Sequence, residues 1–180
     1  MLPKFQAGVD KIVEYNKSTK KHTDFNTKRG ENMIAVKSMN VRDHFKEWCN
    51  NQIGFNKFSA DGLPYTLDKD ILVKGNKVYS EDTCCFVPHK INTVLIKCDG
   101  RRGSNLIGVY YLKSKNIYTA SISIDMRQKS LGRFKTEVEA FLAYKEAKET
   151  YIKEVVNFYK DQISVKAYNT LMSYSVEMTD

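Results

Sequence analysis

The chain has 180 residues, of which 42% are hydrophobic and 28% are charged, a composition typical of globular proteins and not of disordered ones. No apolar run approaches the roughly 18 residues of a membrane span, and residues 1–21 lack the apolar core of a signal peptide. We therefore expect no membrane partner and a cytoplasmic location. The four cysteines and three histidines do not fall at zinc-site spacing, so reduced thiols are expected.

The net charge of +8 is concentrated in one part of the chain. Residues 86–135 carry 10 basic and 2 acidic side chains, a local net charge of +8. A basic excess confined to one segment is typical of a surface that binds a polyphosphate. The pattern favours nucleic acid as the partner. The polar face of a predicted strand, described below, favours double-stranded DNA in particular.

The first half of the chain is predicted to be helical, followed by a small ββα element at about 65–97. Apolar spacing predicts helices at 1–15 and 41–52, separated by a polar and basic arm at 16–32. A short strand is predicted around Asp68, a turn at Gly75-Asn76 and a second strand at Val78-Tyr79. Ser80 is predicted to cap the helix that follows, with Glu81 and Asp82 in its first turn.

The second half is predicted to be a three-stranded antiparallel sheet packed on one long helix. A glycine-rich basic stretch at 98–105 is interpreted as the boundary between domains 1–97 and 98–180. The strand candidates are 107–111, 117–124 and 128–134, and Thr136 is predicted to cap the helix. One face of that helix is predicted to be buried, made of Ala140, Tyr144, Ala147, Tyr151, Val155 and Phe158. The expected fold class is α+β.

The middle strand alternates between apolar and polar residues. Tyr118, Ala120, Ile122 and Ile124 are predicted to face the helix. The opposite face is left uncovered and carries hydrogen-bonding and basic side chains, which suits insertion into the DNA major groove. The predicted DNA-binding residues are Arg101, Arg102, Lys113, Lys115, Thr119, Ser121, Ser123, Arg127, Lys129 and Arg133.

The two halves resemble known families. The matching positions in the second half are Gly108-Val109, Leu131-Gly132, Phe134, Glu139-Ala140, Ala143-Tyr144 and Ala147. These resemble the plant APETALA-type DNA-binding domain and its relatives in mobile endonucleases. Residues 67–92 resemble HNH-type endonuclease-like proteins of bacteriophages, and together the two resemblances cover about residues 40–160.

The resemblance to HNH nucleases implies a catalytic site that binds Mg²⁺ or another divalent cation if it is active, and no cofactor otherwise. Asp68 falls at the metal-ligand position, Lys69 replaces the general-base histidine and Thr83 replaces the helix asparagine. An unperturbed lysine has a pKa near 10.4, far from that of a useful base, and threonine is a poor ligand for Mg²⁺. Asp70 or Glu81 could assist, although we expect Asp68 and Asp70 to point to opposite faces of their strand.

Three hypotheses follow. The first is a double-stranded-DNA-binding protein that is a degenerate HNH-type, metal-dependent endonuclease of phage or mobile-element origin, acting in the bacterial host cytoplasm. The second is a non-catalytic DNA-binding regulator, favoured by the missing histidine beside Asp68. The third is a phage interaction protein that engages an acidic host factor. The polar strand face favours DNA over an acidic protein, because groove readout needs hydrogen-bonding groups as well as charge. Other protein partners are not predicted.

Overall fold

The computed structural model of the protein describes residues 41–96 and 104–180. The predicted helix at 1–15, the arm at 16–32 and the candidate DNA-binding residues Arg101 and Arg102 lie outside them. The chain divides into two compact units, Met1–Val87 and Pro88–Asp180. The boundary thus lies ten residues before the predicted one at 97/98.

The described part of the chain mixes helices and strands, which confirms the α+β class. The helices are α1 (Val41–Asn50), α2 (His89–Leu95), α3 (Glu137–Phe158) and α4 (Val165–Met172). The strands are β1 (Thr66–Asp68), β2 (Cys85–Val87), β3 (Val109–Leu112), β4 (Ile117–Ile124) and β5 (Arg127–Phe134). None of the helices in residues 41–96 and 104–180 is long and apolar enough to span a membrane.

The N-terminal unit has an aromatic core around helix α1. Phe45, Cys49 and Phe86 are buried, and the Trp48 ring stacks on Phe45 with 5.0 Å between ring centroids. These α1 residues recur at the three- and four-residue spacing that brings side chains onto one side of a helix. The expected helix at 41–52 is therefore confirmed, although it ends two residues early.

The predicted second strand and helix of the ββα element are wrong. β1 pairs antiparallel with Cys85–Val87 and not with Val78-Tyr79. Residues 80–83 form a turn closed by a 2.9 Å hydrogen bond from the Cys84 amide to the Ser80 carbonyl. All three residues of β2 are buried. Burial of this apolar run outweighs the local capping signal at Ser80, because the strand contributes side chains to the core and a solvent-exposed turn does not.

The helix that follows β2 is α2, which begins at His89. It belongs to the C-terminal unit, where it packs against α3. The Lys90 ammonium pairs with the Asp125 carboxylate, which also accepts a 3.3 Å hydrogen bond from the Tyr151 hydroxyl. The structure therefore divides the expected ββα element between the two units, and Thr83 lies in a turn instead of a helix.

The C-terminal sheet confirms the prediction, with antiparallel strand order β3-β4-β5. Asp125 and Met126 join β4 to β5, and both have positive φ (50° and 62°). Two positive φ angles are the mark of a type I′ hairpin turn, whose twist matches that of the strands. Val109, Ala120 and Ile122 are buried on the sheet face that α3 covers, as the alternation predicts.

Helix α3 begins as predicted, but its buried face differs in part from the prediction. The Thr136 hydroxyl accepts a hydrogen bond from the Glu139 amide, and Glu139 returns one to the Thr136 amide, which forms a capping box. The prediction that Phe158 faces inward is wrong, since its side chain is 71% exposed. A 22-residue helix is about 33 Å long, whereas an eight-residue strand spans about 26 Å, so the end of α3 extends past the sheet.

Candidate nucleic-acid interface

A β-bulge in β5 determines which side chains appear on each face of the C-terminal sheet. Ala120 pairs with Gly132, but the next residue of β4, Ser121, pairs with Ser130, so the pairing skips Leu131. Directly paired residues of antiparallel strands share a face. The extra residue therefore reverses the alternation in the N-terminal half of β5 relative to its C-terminal half.

The sheet face opposite α3 consists mainly of hydrogen-bonding side chains, and we call it the outer face. By the register of the strands it carries two half-buried aliphatic residues at one end, Leu112 and Ile117, and seven further residues, Tyr110, Thr119, Ser121, Ser123, Gln128, Ser130 and Arg133. None of the seven is buried, and Tyr110 is 64% exposed. In the central row, Tyr110 pairs with Thr119, and Thr119 pairs with Arg133. An aromatic ring, a hydroxyl and a guanidinium thus lie side by side across three strands.

Four of the predicted DNA-binding residues lie together on the outer face, namely Thr119, Ser121, Ser123 and Arg133. Lys129 and Arg127 do not join them, since they pair with Ile122 and Ile124, which share a face with Ala120. Both basic residues are nevertheless exposed. Lys113 and Lys115 are also exposed, in the 3₁₀ turn between β3 and β4.

Sequence reasoning missed Tyr110 and Gln128. Tyr110 follows the buried Val109, so simple alternation could have assigned it to the outer face. The position of Gln128 depends on the bulge. A glycine inside a strand often marks a bulge, and Gly132 (φ 137°) was the available signal.

The N-terminal unit brings two carboxylates together at the end of β1. One oxygen of Asp68 accepts hydrogen bonds from the amides of Asp70 (2.8 Å) and Ile71 (2.9 Å). Burial raises the pKa of Asp68 to about 6, and the neighbouring Asp70 carboxyl adds to the rise. The prediction that Asp68 and Asp70 point to opposite faces is wrong. Residues two apart on a strand share a face, and here β1 already ends at Asp68 and the chain bends at the next residue.

Lys69 and Tyr79 lie beside this carboxylate pair. The Lys69 ammonium is 3.9 Å from Asp70 and 5.8 Å from the centre of the Tyr79 ring. Burial, with the nearby acidic groups, raises the pKa of Tyr79. Burial also raises the pKa of Cys84 to about 11, which favours the protonated thiol at neutral pH.

Thr83 and Glu81 have other partners. The Thr83 hydroxyl donates to the Val78 carbonyl at 2.9 Å and lies 2.9 Å from the Ser80 hydroxyl. These contacts stabilise the turn before β2. A Glu81 carboxylate oxygen is 2.9 Å from Nε2 of His44. These contacts give both residues a role in holding the N-terminal unit together.

The carboxylate pair is chemically suited to Mg²⁺. This ion binds oxygen donors and commonly uses one or two protein carboxylates with water completing the shell. Asp68 and Asp70 would hold the ion. Within the part of the chain that the structure describes, no group of three His, Cys, Asp or Glu side chains is placed to bind a metal. A closed site built from protein ligands alone, as structural zinc requires, is therefore not formed by these residues.

Comparison with known protein families, with curated proteins and with solved structures finds no match. The resemblances to APETALA-type domains and HNH nucleases therefore remain predictions from sequence.

Proposed function

We propose that this protein binds double-stranded DNA through the outer face of its C-terminal sheet. The observation that carries the proposal is the uncovered sheet face, on which hydroxyl, amide and guanidinium groups project from three paired strands. Such groups can hydrogen-bond to base edges, and the basic segment 86–135 supplies attraction to phosphates.

The dimensions of the sheet support major-groove binding. Neighbouring strands lie about 4.8 Å apart, so three strands are about 10 Å wide, and the major groove is about 12 Å wide. Arg133 is the outer-face residue best suited to guanine, whose O6 and N7 accept a bidentate guanidinium. Lys113 and Lys115, exposed in the turn beside the sheet, suit contacts to phosphates.

Duplex binding measured by fluorescence anisotropy over a range of salt concentrations tests this proposal. If six phosphate contacts form, the log–log slope should be roughly −5. The R133A and Y110A variants should weaken binding. K153A removes one exposed lysine from α3, the helix that covers the other side of the sheet. It removes one positive charge, as R133A does, and serves as the control for it. Equal effects of K153A and R133A, or binding that does not respond to salt, would contradict an interface on the outer face.

Metal-dependent cleavage of DNA is the second candidate function. The observation that favours it is the approach of the Asp68 and Asp70 carboxylates, which creates a pair of oxygen donors for Mg²⁺. A bound divalent cation would supply Lewis-acid stabilisation of a phosphate undergoing hydrolysis. Lys69 would add positive charge beside that phosphate, because its ammonium lies next to Asp70. It would not act as the base.

Incubation of the protein with supercoiled plasmid and Mg²⁺ or Mn²⁺ separates the nuclease from the regulator. For a nuclease, D68A should abolish nicking with little loss of DNA affinity, and K69A should slow nicking. D82A, which removes an acidic residue from the turn before β2, is the matched control. Plasmid that stays supercoiled with the wild-type protein in both metals would leave DNA binding as the function and exclude cleavage under those conditions.

A further inference from the structure

Gln128 occupies the outer face for a structural reason. It pairs with Ser123, whereas the flanking residues Arg127 and Lys129 pair with residues of the opposite face. Without the bulge at Leu131, the alternation would place the two basic residues outward and turn Gln128 away. The bulge thus brings a neutral amide, rather than a cation, to the exposed surface at this point.

A hydrogen bond from Gln128 to Ser121 fixes the orientation of the amide. Nε2 of Gln128 donates to Oγ of Ser121 over 2.9 Å, and the two residues lie diagonally across β4 and β5. A glutamine amide has two N–H donors and one carbonyl acceptor. With one N–H bound to Ser121, a single N–H and the Oε1 carbonyl remain available on the exposed side chain.

The remaining donor and acceptor match one base. In the major groove adenine presents an N7 acceptor next to an N6–H₂ donor, and glutamine can bind both at once. Guanine presents two acceptors at the same place, and the glutamine carbonyl would face one of them without a hydrogen bond. Fixing the amide before binding also lowers the rotamer entropy lost on binding.

We propose that Gln128 is a specificity-determining residue that binds adenine in the major groove, and that Ser121 is the residue that positions its amide. This inference rests on the proposed DNA-binding function and adds a base preference to it. Ser121 acts through Gln128, so its removal affects the choice of base more than the overall affinity for DNA.

The test is selection of binding sites from a randomised duplex library, followed by affinity measurements on the selected duplex and its single-base variants. The wild-type protein should prefer adenine at one position by roughly 5- to 150-fold. Q128A should lose the preference at that position and keep the others. Q128E should shift the preference to cytosine, whose N4 amino group donates to a carboxylate.

Two variants of Ser121 test whether its hydroxyl positions the Gln128 amide, and a third variant is the control. S121A should reduce the adenine preference in part, and S121T should restore it, because threonine keeps the hydroxyl and suits a strand. K129A is the control at the neighbouring residue on the opposite face. It should weaken binding to every sequence to a similar extent and leave the base preference unchanged.

A selected site without Gln128-dependent adenine would overturn the inference while leaving DNA binding intact. An S121A profile identical to that of the wild type would overturn the positioning role of Ser121. Absence of any duplex binding by the wild-type protein would overturn the proposed function and this inference together. Circular dichroism of each variant confirms that the comparison is made between folded proteins.

Discussion

Of the glycines that the structure describes in the C-terminal unit, Gly108 has the least room for a side chain. Its φ of 76° is strained for other residues, and a Cβ built on its backbone would overlap the ring of Tyr144. Tyr144 itself is buried on α3. The absence of a side chain at Gly108 therefore allows the helix to approach the start of β3.

G108A should destabilise the protein by about 2–5 kcal/mol, as the sum of backbone strain and an overpacked contact. In a Y144A background the ring is gone, so the same substitution should cost only the backbone part, about 1–2 kcal/mol. Urea unfolding of the four proteins in this double-mutant cycle measures the difference. Identical costs in both backgrounds would show that the ring does not need the space at Gly108.

At Met126 a glycine would fit the backbone better than the native residue does. The Met126 side chain is 99% exposed and its φ is 62°. A residue with a Cβ pays about 1–2 kcal/mol in this conformation, and glycine recovers part of that despite its greater entropy when unfolded. M126G should therefore raise stability by about 0.5–1 kcal/mol. M126A keeps the Cβ and should change little, which makes it the control in thermal melts. A gain in both variants would trace the effect to loss of the exposed thioether instead.

At the scale of elements, hydrogen bonds made by the Lys145–Glu149 ion pair of α3 hold the C-terminal segment against that helix. The Lys145 ammonium donates to the Ser175 hydroxyl and the Val176 carbonyl at 2.6 Å each, and Glu149 accepts from the Val176 amide at 2.9 Å. Burial alone would raise the pKa of Glu149, but the hydrogen bonds from Lys145 and Val176 outweigh it and lower the pKa below its usual value.

A lowered pKa means that ionised Glu149 stabilises the fold at pH values above its ordinary pKa of 4.5. That contribution disappears as the pH falls through the lowered value. Stability of the wild-type protein should therefore drop more steeply between pH 6 and pH 3 than that of E149Q, which should be the less stable variant at pH 7. Urea unfolding at several pH values measures both profiles, and parallel curves would exclude a role for the charge.

Local signals predicted the C-terminal elements well. The β4 alternation, the Thr136 cap and the strand positions were all readable because each depends on residues close together in sequence. The second strand of the N-terminal unit was missed for the opposite reason. Thr66 and Val87 pair across 21 residues, and the choice of Cys85–Val87 over Val78-Tyr79 depends on burial in a core that no local pattern reveals.

The candidate sites show the same division. The polar face of β4 was predicted from Thr119, Ser121 and Ser123, which alternate regularly. The placement of Arg127 and Lys129 on the face opposite Ser121 and Ser123 could not be predicted, because the register shift depends on the pairing of two strands and not on residue type. The approach of Asp70 to Asp68 was missed because the two residues were assigned to opposite faces, although residues two apart on a strand share a face and β1 ends at Asp68.

At the scale of the whole molecule, the division of the chain at Val87–Pro88 assigns α2 to the C-terminal unit. Ile91 and Val94 of α2 are buried, and Lys90 pairs with Asp125 of the hairpin turn. A fragment of residues 88–180 should consequently be more stable than one of residues 98–180, by about 3 kcal/mol for the two buried side chains. Thermal melts of both fragments by circular dichroism test this. Equal melting temperatures would show that α2 does not stabilise the C-terminal unit and would support the predicted boundary at 97/98.

The skipped residue Leu131 shifts the inward–outward alternation of β5 by one position. In a regular strand, two residues an odd number of positions apart point to opposite faces. Because of the extra residue, Arg133 and Gln128 share a face although they are five positions apart. Deletion of Leu131 would straighten the strand and leave both side chains on the same surface. Lineages could thus gain or lose this residue without changing what the sheet presents, and an ungapped alignment across it would equate residues from opposite faces.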